Sequence, residues 1–121
     1  MFIEVIYCDN TNVANYNALT THKTDTFIYV DDPHYPDQWQ NYNGQTCLII
    51  LSFDGGIPQQ TLLSIFNNEI IPQYDANAIK LNLKTLCIAT NVKMTHWYTS
   101  ERNYKKIMMD KINSYKYLEP Q

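Results

Sequence analysis

The chain has 121 residues, 45% of them hydrophobic, and a formal net charge of −3. That length supports one three-layer core and not two, so a single domain over 1–121 is expected. An acidic balance argues against a general nucleic-acid coat, which needs a basic surface to release counterions, and with Arg102 as the only arginine, bidentate phosphate or guanine recognition has little to work with.

Phe2-Ile3-Glu4-Val5-Ile6-Tyr7-Cys8 is β-branched and largely apolar, and reads as the opening strand. In Asp9 to Asn15, Thr11 or Asn12 is expected to cap a helix through Leu19. Thr20 to Asp25 is a polar loop and Phe27-Ile28-Tyr29-Val30 a short second strand. Asp31-Asp32-Pro33-His34-Tyr35-Pro36-Asp37 then gathers three carboxylates and an imidazole, which invites a metal or acid/base reading. Its two prolines and lack of period instead predict exposed loop with solvated acids.

Thr46 to Ile57 is the most informative run. A polar lead-in, five consecutive apolar residues and a Gly- and Asp-rich turn predict a strand buried on both faces of a parallel sheet. In α/β folds, ligands sit just past such carboxyl ends. Pro58 opens a helix to about Asn67 with Leu62, Leu63, Ile65 and Phe66 as its buried stripe. Thr85-Leu86-Cys87-Ile88-Ala89 is a further strand, ending in Thr90-Asn91. Thr99 or Ser100 begins a last helix, Glu101 to about Ile112, with Ile107, Met108 and Ile112 toward the sheet. Tyr115-Lys116-Tyr117-Leu118 reads as a closing edge strand whose lysine protects the edge.

Cys8, Cys47 and Cys87 each fall in a predicted strand, as reduced buried thiols of a cytoplasmic protein do. No Cys-x-x-Cys pair occurs, and His22, His34 and His96 lack metal-ligand spacing, so neither metal nor cofactor is expected. Met1 to Glu4 does not read as a signal peptide, and no apolar run is long enough for a membrane span.

Trp39 and Tyr42-Asn43-Gly44 before the Thr46 strand, Phe53-x-Gly55 after it, Ile57-Pro58 with Leu62-Leu63, Ile88-Ala89-Thr90-Asn91 and finally Trp97-Tyr98 form an ordered set. In order and spacing this set resembles the superfamily 3 helicase domain of circovirus-like replication initiator (Rep) proteins. The resemblance implies an α/β three-layer sandwich: an AAA-type P-loop ATPase-like core, with a mostly parallel sheet of about five strands and helices on both faces, lacking a functional P-loop.

The departures from that family are concentrated in its charged machinery. Where it has a Gly-rich loop ending in Lys and Ser or Thr, this chain has Asp9, Asn10, Thr11 and Asn12. Where it has two acids that hold magnesium, this chain has Leu51 and Ser52, with Asp54 the only nearby acid. Asn91 matches the polar sensor that contacts the γ-phosphate, and without the other parts is expected to cap a turn or helix. The DNA-gripping hairpin of the family falls in Glu69 to Leu83, with Asp75-Ala76-Asn77 near the tip and Lys80 and Lys84 behind; these lysines either make salt-sensitive contacts to single strands or are ordinary surface residues. Asp110-Lys111 stands where viral relatives carry paired arginines. The nuclease signatures His-hydrophobe-His and Tyr-x-x-Lys do not occur.

These losses together imply a non-catalytic, helicase-derived binding protein, a pseudo-ATPase of viral or mobile-element origin that inhibits a host factor by macromolecular contact. A protein partner is expected, met by Asp31, Asp32, Tyr35 and Asp37 and by Tyr74 and Tyr104, tyrosine being favoured at interfaces. Retention of the ancestral ring contact would give a homo-oligomer. The competing reading is a residual nucleic-acid-binding Rep helicase or ATPase fragment, active in replication of a small DNA element, that uses Asp54, Asn91 and Lys80.

Overall fold

The computed structural model describes residues 1–73, 77–98 and 102–119, with 102–105 described by their backbone alone. Seven strands and three helices occur among them: β1 (Phe2–Cys8), α1 (Thr11–Thr21), β2 (Thr26–Val30), β3 (Cys47–Phe53), α2 (Gln59–Phe66), β4 (Ile70–Ile71), β5 (Ile79–Lys80), β6 (Thr85–Thr90), α3 (Arg102–Lys111) and β7 (Ser114–Leu118). Five form one sheet in the order β2-β3-β6-β1-β7, and every pairing in it is parallel. The chain is therefore α/β, as its runs of buried apolar strand predict. No helix among the described residues is long and apolar enough to cross a membrane.

A parallel sheet needs both faces covered, because its connections return over them. On one face α1 lays Ala14 and Ala18 against Ile6, Cys8, Ile49, Leu51, Cys87 and Ala89. Two alanines one turn apart let the helix lie close to the sheet, and they also explain why α1 has almost no apolar stripe to read from sequence. The opposite face carries the larger core. Leu62, Ile65 and Phe66 of α2 and Met108 of α3 pack there on Ile3, Val5, Leu48, Ile50, Leu86 and Ile88.

Trp39 lies in a 3-10 turn (Gln38–Asn41) and stacks on Tyr29 and Phe27, with ring centroids 4.9 and 5.6 Å away. Its neighbour Gln38 closes the open edge of β2: its side-chain oxygen accepts the Val30 N–H at 2.7 Å and its amide donates to the Val30 carbonyl at 2.6 Å. That pair occupies backbone groups that would otherwise template another strand.

Several boundaries differ from the sequence expectation. The strand at Thr46 to Ile57 is buried as expected but lies off-centre; β6, inserted between β1 and β3, holds the middle. Helix α1 runs to Thr21, and its cap is Asn10 rather than Thr11 or Asn12, because only Asn10 keeps the extended backbone a cap requires (φ −94°, ψ 110°). Leu63 is half-buried at the rim of the α2 stripe, and Ile107 is 44% exposed while Met108 turns inward. β7 is an edge strand as expected; it pairs with β1, and Lys116 reaches back to Glu4 instead of serving only to guard the edge.

Replacing the fully buried Ile88 with Ala should cost about 2–5 kcal/mol, by lost burial and the cavity left behind. Ile28→Ala on the exposed edge should cost no more than about 0.5 kcal/mol. Urea midpoints at unchanged slope measure both; similar losses at the two positions would contradict the burial assigned here.

Candidate functional site at the carboxyl ends of the strands

A cleft of about 330 Å³ opens beyond the carboxyl ends of the sheet, lined by Thr11, Asp31, Asp32, Pro33, His34, Ser52, Asp54 and Asn91. It lies where α/β sheets bind ligands, and it draws on four segments: the start of α1, the ends of β3 and β6, and the loop after β2. Six of its residues, Thr11, Asp31, Asp32, Ser52, Asp54 and Asn91, were singled out from sequence.

Between β1 and α1 the chain turns through Asp9 and Asn10 only, too short a path to wrap a phosphate. Asn10 Oδ1 accepts the N–H groups of Asn12 at 3.0 Å and Val13 at 3.4 Å, so the amides that would face an anion at the helix start are already bonded. Asp9 accepts the hydroxyl of Tyr7, and that bond to a carboxylate is the main reason the Tyr7 phenol is pushed up to about 12.

At the end of β3 the register slips between Ile50 and Phe53, and Ser52 adopts a left-handed backbone (φ +55°). Asn15 of α1 holds that kink from both sides: its side-chain oxygen accepts the Ser52 N–H at 2.9 Å, and its amide donates to Ser52 Oγ at 2.9 Å. Leu51 is buried. Of the two positions that would carry metal-binding acids, one therefore belongs to the core and the other is bonded to a helix.

Asp31 is not the solvated loop acid that the sequence suggests. It is half-buried, and its Oδ2 accepts the N–H groups of Asp54 at 3.2 Å and Gly56 at 3.1 Å, tying the loop after β3 to the end of β2. A side chain at Gly56 would put its Cβ 2.7 Å from Asp31 Oδ1 and push the carboxylate out of this position. Burial raises the Asp31 pKa, the two N–H bonds oppose that, and the Asp54 charge adds to the rise. Asp32 shifts the other way: its carboxylate accepts the His34 N–H at 2.9 Å and lies 2.8 Å from His34 Nδ1, and these bonds hold its pKa below the usual range. Both partners are open to water, so the pair contributes little stability.

Asn91 is exposed on the cleft wall. The turn-capping role expected of it falls to buried Thr90, whose hydroxyl donates to the Phe53 carbonyl at 2.7 Å and accepts the Val92 N–H at 3.0 Å. Trp97 then seats on Phe53, edge to face at 4.7 Å, and donates its indole N–H to the Val92 carbonyl. Tyr98 donates to the Ile57 carbonyl, and burial raises its pKa well above the ordinary phenol value.

The remaining candidates lie elsewhere. Tyr35 is 56% exposed on the far side of the 31–37 loop, where a second cleft of about 390 Å³ includes Tyr29, Pro36 and Gly56. Asp37 is exposed at the head of the 3-10 turn. Lys80 sits opposite Ile70 at the base of the β4–β5 hairpin, and Lys84 lies at the amino-terminal end of β6, away from the carboxyl-end cleft. Tyr74 and Asp75 fall outside the described residues, as does the side chain of Tyr104. Asn15 and Thr90 were missed as site residues: each acts through a partner about 37 positions away, which local pattern does not reveal.

Among the described residues the cleft thus presents three carboxylates and an imidazole and no lysine or arginine. It is suited to a cationic group and ill suited to a triphosphate. The chain matches no protein-family model, and a search of curated proteins finds no significant match.

Two measurements test this geometry. In a carboxyl-carbon NMR titration Asp31 should titrate above the ordinary aspartate value of 3.8, and Asp54→Asn should move it down by removing the neighbouring charge; an unmoved midpoint would contradict the coupling. Because the folded pKa is raised, the stability linked to Asp31 is fully present below the unfolded value and is lost as pH rises through the folded one. Thr90→Val, nearly isosteric, should cost about 1–3 kcal/mol by leaving the Phe53 carbonyl and Val92 N–H without their partner.

Proposed function

We propose that this chain is a non-catalytic descendant of an AAA-type Rep helicase domain, of viral or mobile-element origin, that works by binding another protein. The observation that carries the reading is the Asn15–Ser52 lock at the end of β3, in the wall of an acidic cleft. On the family resemblance, phosphate loop, sensor and metal acids follow β1, β6 and β3, and these three strands are neighbours with the sensor strand between the other two. This order is compatible with a P-loop-like layered fold and so supports the reading. At all three places the backbone is bonded to the chain's own side chains, and Asp31, Asp32 and Asp54 would repel a phosphate.

What remains for recognition is the 31–37 loop, a ridge between two clefts that carries Asp32, Asp37 and the exposed ring of Tyr35. A tyrosine set among carboxylates suits a protein surface that presents arginine or lysine. Occupying such a surface is how a small domain without chemistry inhibits a larger partner.

A second reading, residual binding of single-stranded nucleic acid, draws on the β4–β5 hairpin, present where the resembled helicases carry theirs. Lys80 lies at its base and the acidic cleft is elsewhere, so contacts there would be weak and salt-sensitive.

Calorimetry with ATP and magnesium is expected to show no binding at micromolar concentrations, and micromolar heat would overturn the pseudo-ATPase reading. A photo-crosslinker in place of Tyr35 should capture a basic partner that the same group at Tyr16, exposed on α1, does not; equal capture from both positions would remove the loop from the interface.

A further inference from the structure

The other concentration of chemistry lies at the amino-terminal half of the sheet, on the face covered by α1. Glu4 of β1 and Cys87 of β6 are opposite each other in the parallel register, and both are buried. His22, which ends α1, folds its ring in over them. Its Nε2 is 3.1 Å from Glu4 Oε1, and Cys87 Sγ is 3.9 Å from the same oxygen. The three donor atoms all lie within 4.8 Å of one another. From β7, Lys116 Nζ holds the other carboxylate oxygen at 3.4 Å.

We propose that Glu4, His22 and Cys87 bind a borderline divalent cation of the zinc class. A carboxylate, an imidazole and a thiol around one point form a mixed donor set that zinc accepts and that magnesium and calcium, which prefer oxygen, do not. Zinc held at about 2.0–2.3 Å from each ligand sets neighbouring donors at about 3.3–3.8 Å. The 3.1 and 3.9 Å separations lie close to those edges, and the third, between His22 Nε2 and Cys87 Sγ, is within 4.8 Å and would close by up to about 1 Å on binding.

Charge is consistent with the same occupant. A thiolate from Cys87 and the Glu4 carboxylate together balance a doubly positive ion, and the Lys116 ammonium steadies the far oxygen as an outer-shell partner does. Without a cation the thiol stays protonated, since burial and the Glu4 charge both push its pKa far up. A cleft of about 340 Å³ lined by His22, Cys47 and Lys84 opens the His22 side of the cluster to solvent, while Glu4 and Cys87 stay buried behind it. The alternative occupant is a proton on His22, which would close a Glu4–His22–Lys116 ion cluster.

Cobalt separates the two. The reduced, chelator-treated full chain should take up one equivalent of Co²⁺ with a thiolate-to-metal charge-transfer band in the near ultraviolet, bleached by Zn²⁺, and Zn²⁺ should raise the melting temperature. Cys87→Ser should abolish the band, and Cys8→Ser should leave it unchanged. His22→Gln, at a partly exposed helix end where folding is retained, should weaken Zn²⁺ binding at least tenfold by calorimetry. Absence of the band at one equivalent, its survival in Cys87→Ser, or unchanged affinity in His22→Gln would each overturn the proposal. So would a cobalt spectrum without thiolate character, which would place the ion on exposed groups such as Asp32 and His34.

Discussion

Backbone N–H and C=O groups that the sheet ceases to pair at its carboxyl ends need partners, and in this molecule several of those partners are its own side chains. Asn15 takes the N–H and the hydroxyl of Ser52, Thr90 takes the Phe53 carbonyl and the Val92 amide, Asp31 takes two amides of the loop after β3, and Asn10 takes two at the start of α1. Each such bond is worth only about 1 kcal/mol net, but leaving a buried group unpaired costs more than forming the bond returns. The carboxyl-end loops are therefore fixed, and the donors that a bound phosphate would require are already committed. The rigidity of these loops and their few free anion donors have one cause.

The two ends of the sheet differ in chemistry because α1 covers them differently. At the carboxyl end its first turn closes on Asn10 and Asn15 and leaves a cleft whose ionisable groups are Asp31, Asp32, His34 and Asp54. At the amino end His22, the residue that caps it, folds inward over Glu4 and Cys87, and Lys84 lines the opening beside it. Two alanines bring the helix close enough for both ends to act on the sheet. A bulkier pair would lift α1, and the Asn15 and His22 contacts would both lengthen.

Sequence revealed what is local and repetitive. The runs at Phe2, Thr46 and Thr85 each became a buried parallel strand, and the aromatics Trp39 and Tyr42 packed on Phe27, because a continuous apolar run has few places to go. The acidic loop was recognised as loop from its prolines. Hidden were the roles that depend on partners far along the chain: Asn15 with Ser52, Asp31 with Gly56, Glu4 with Cys87. Asp31 and Asp32 are adjacent and chemically identical, yet burial raises the pKa of one and a neighbouring histidine lowers that of the other. Only the packed structure distinguishes them.

On the reading proposed here, losses in the charged machinery of a motor left the apolar skeleton in place, and energetics explain why the two can separate. The skeleton is held by Phe53, Leu48, Ile50, Leu86, Ile88 and their neighbours, all fully buried and none of them at the cleft. Charged residues at a catalytic cleft usually cost stability, because like charges and unpaired donors are gathered where substrate, not protein, will satisfy them. Replacing them with groups that bond to the backbone removes that strain. The exchange of acids for Leu51 and Ser52 and of a phosphate loop for a capped two-residue turn therefore points in one thermodynamic direction, toward a stiffer scaffold. A stiff scaffold loses little freedom when it meets a partner, so more of the contact energy remains as affinity.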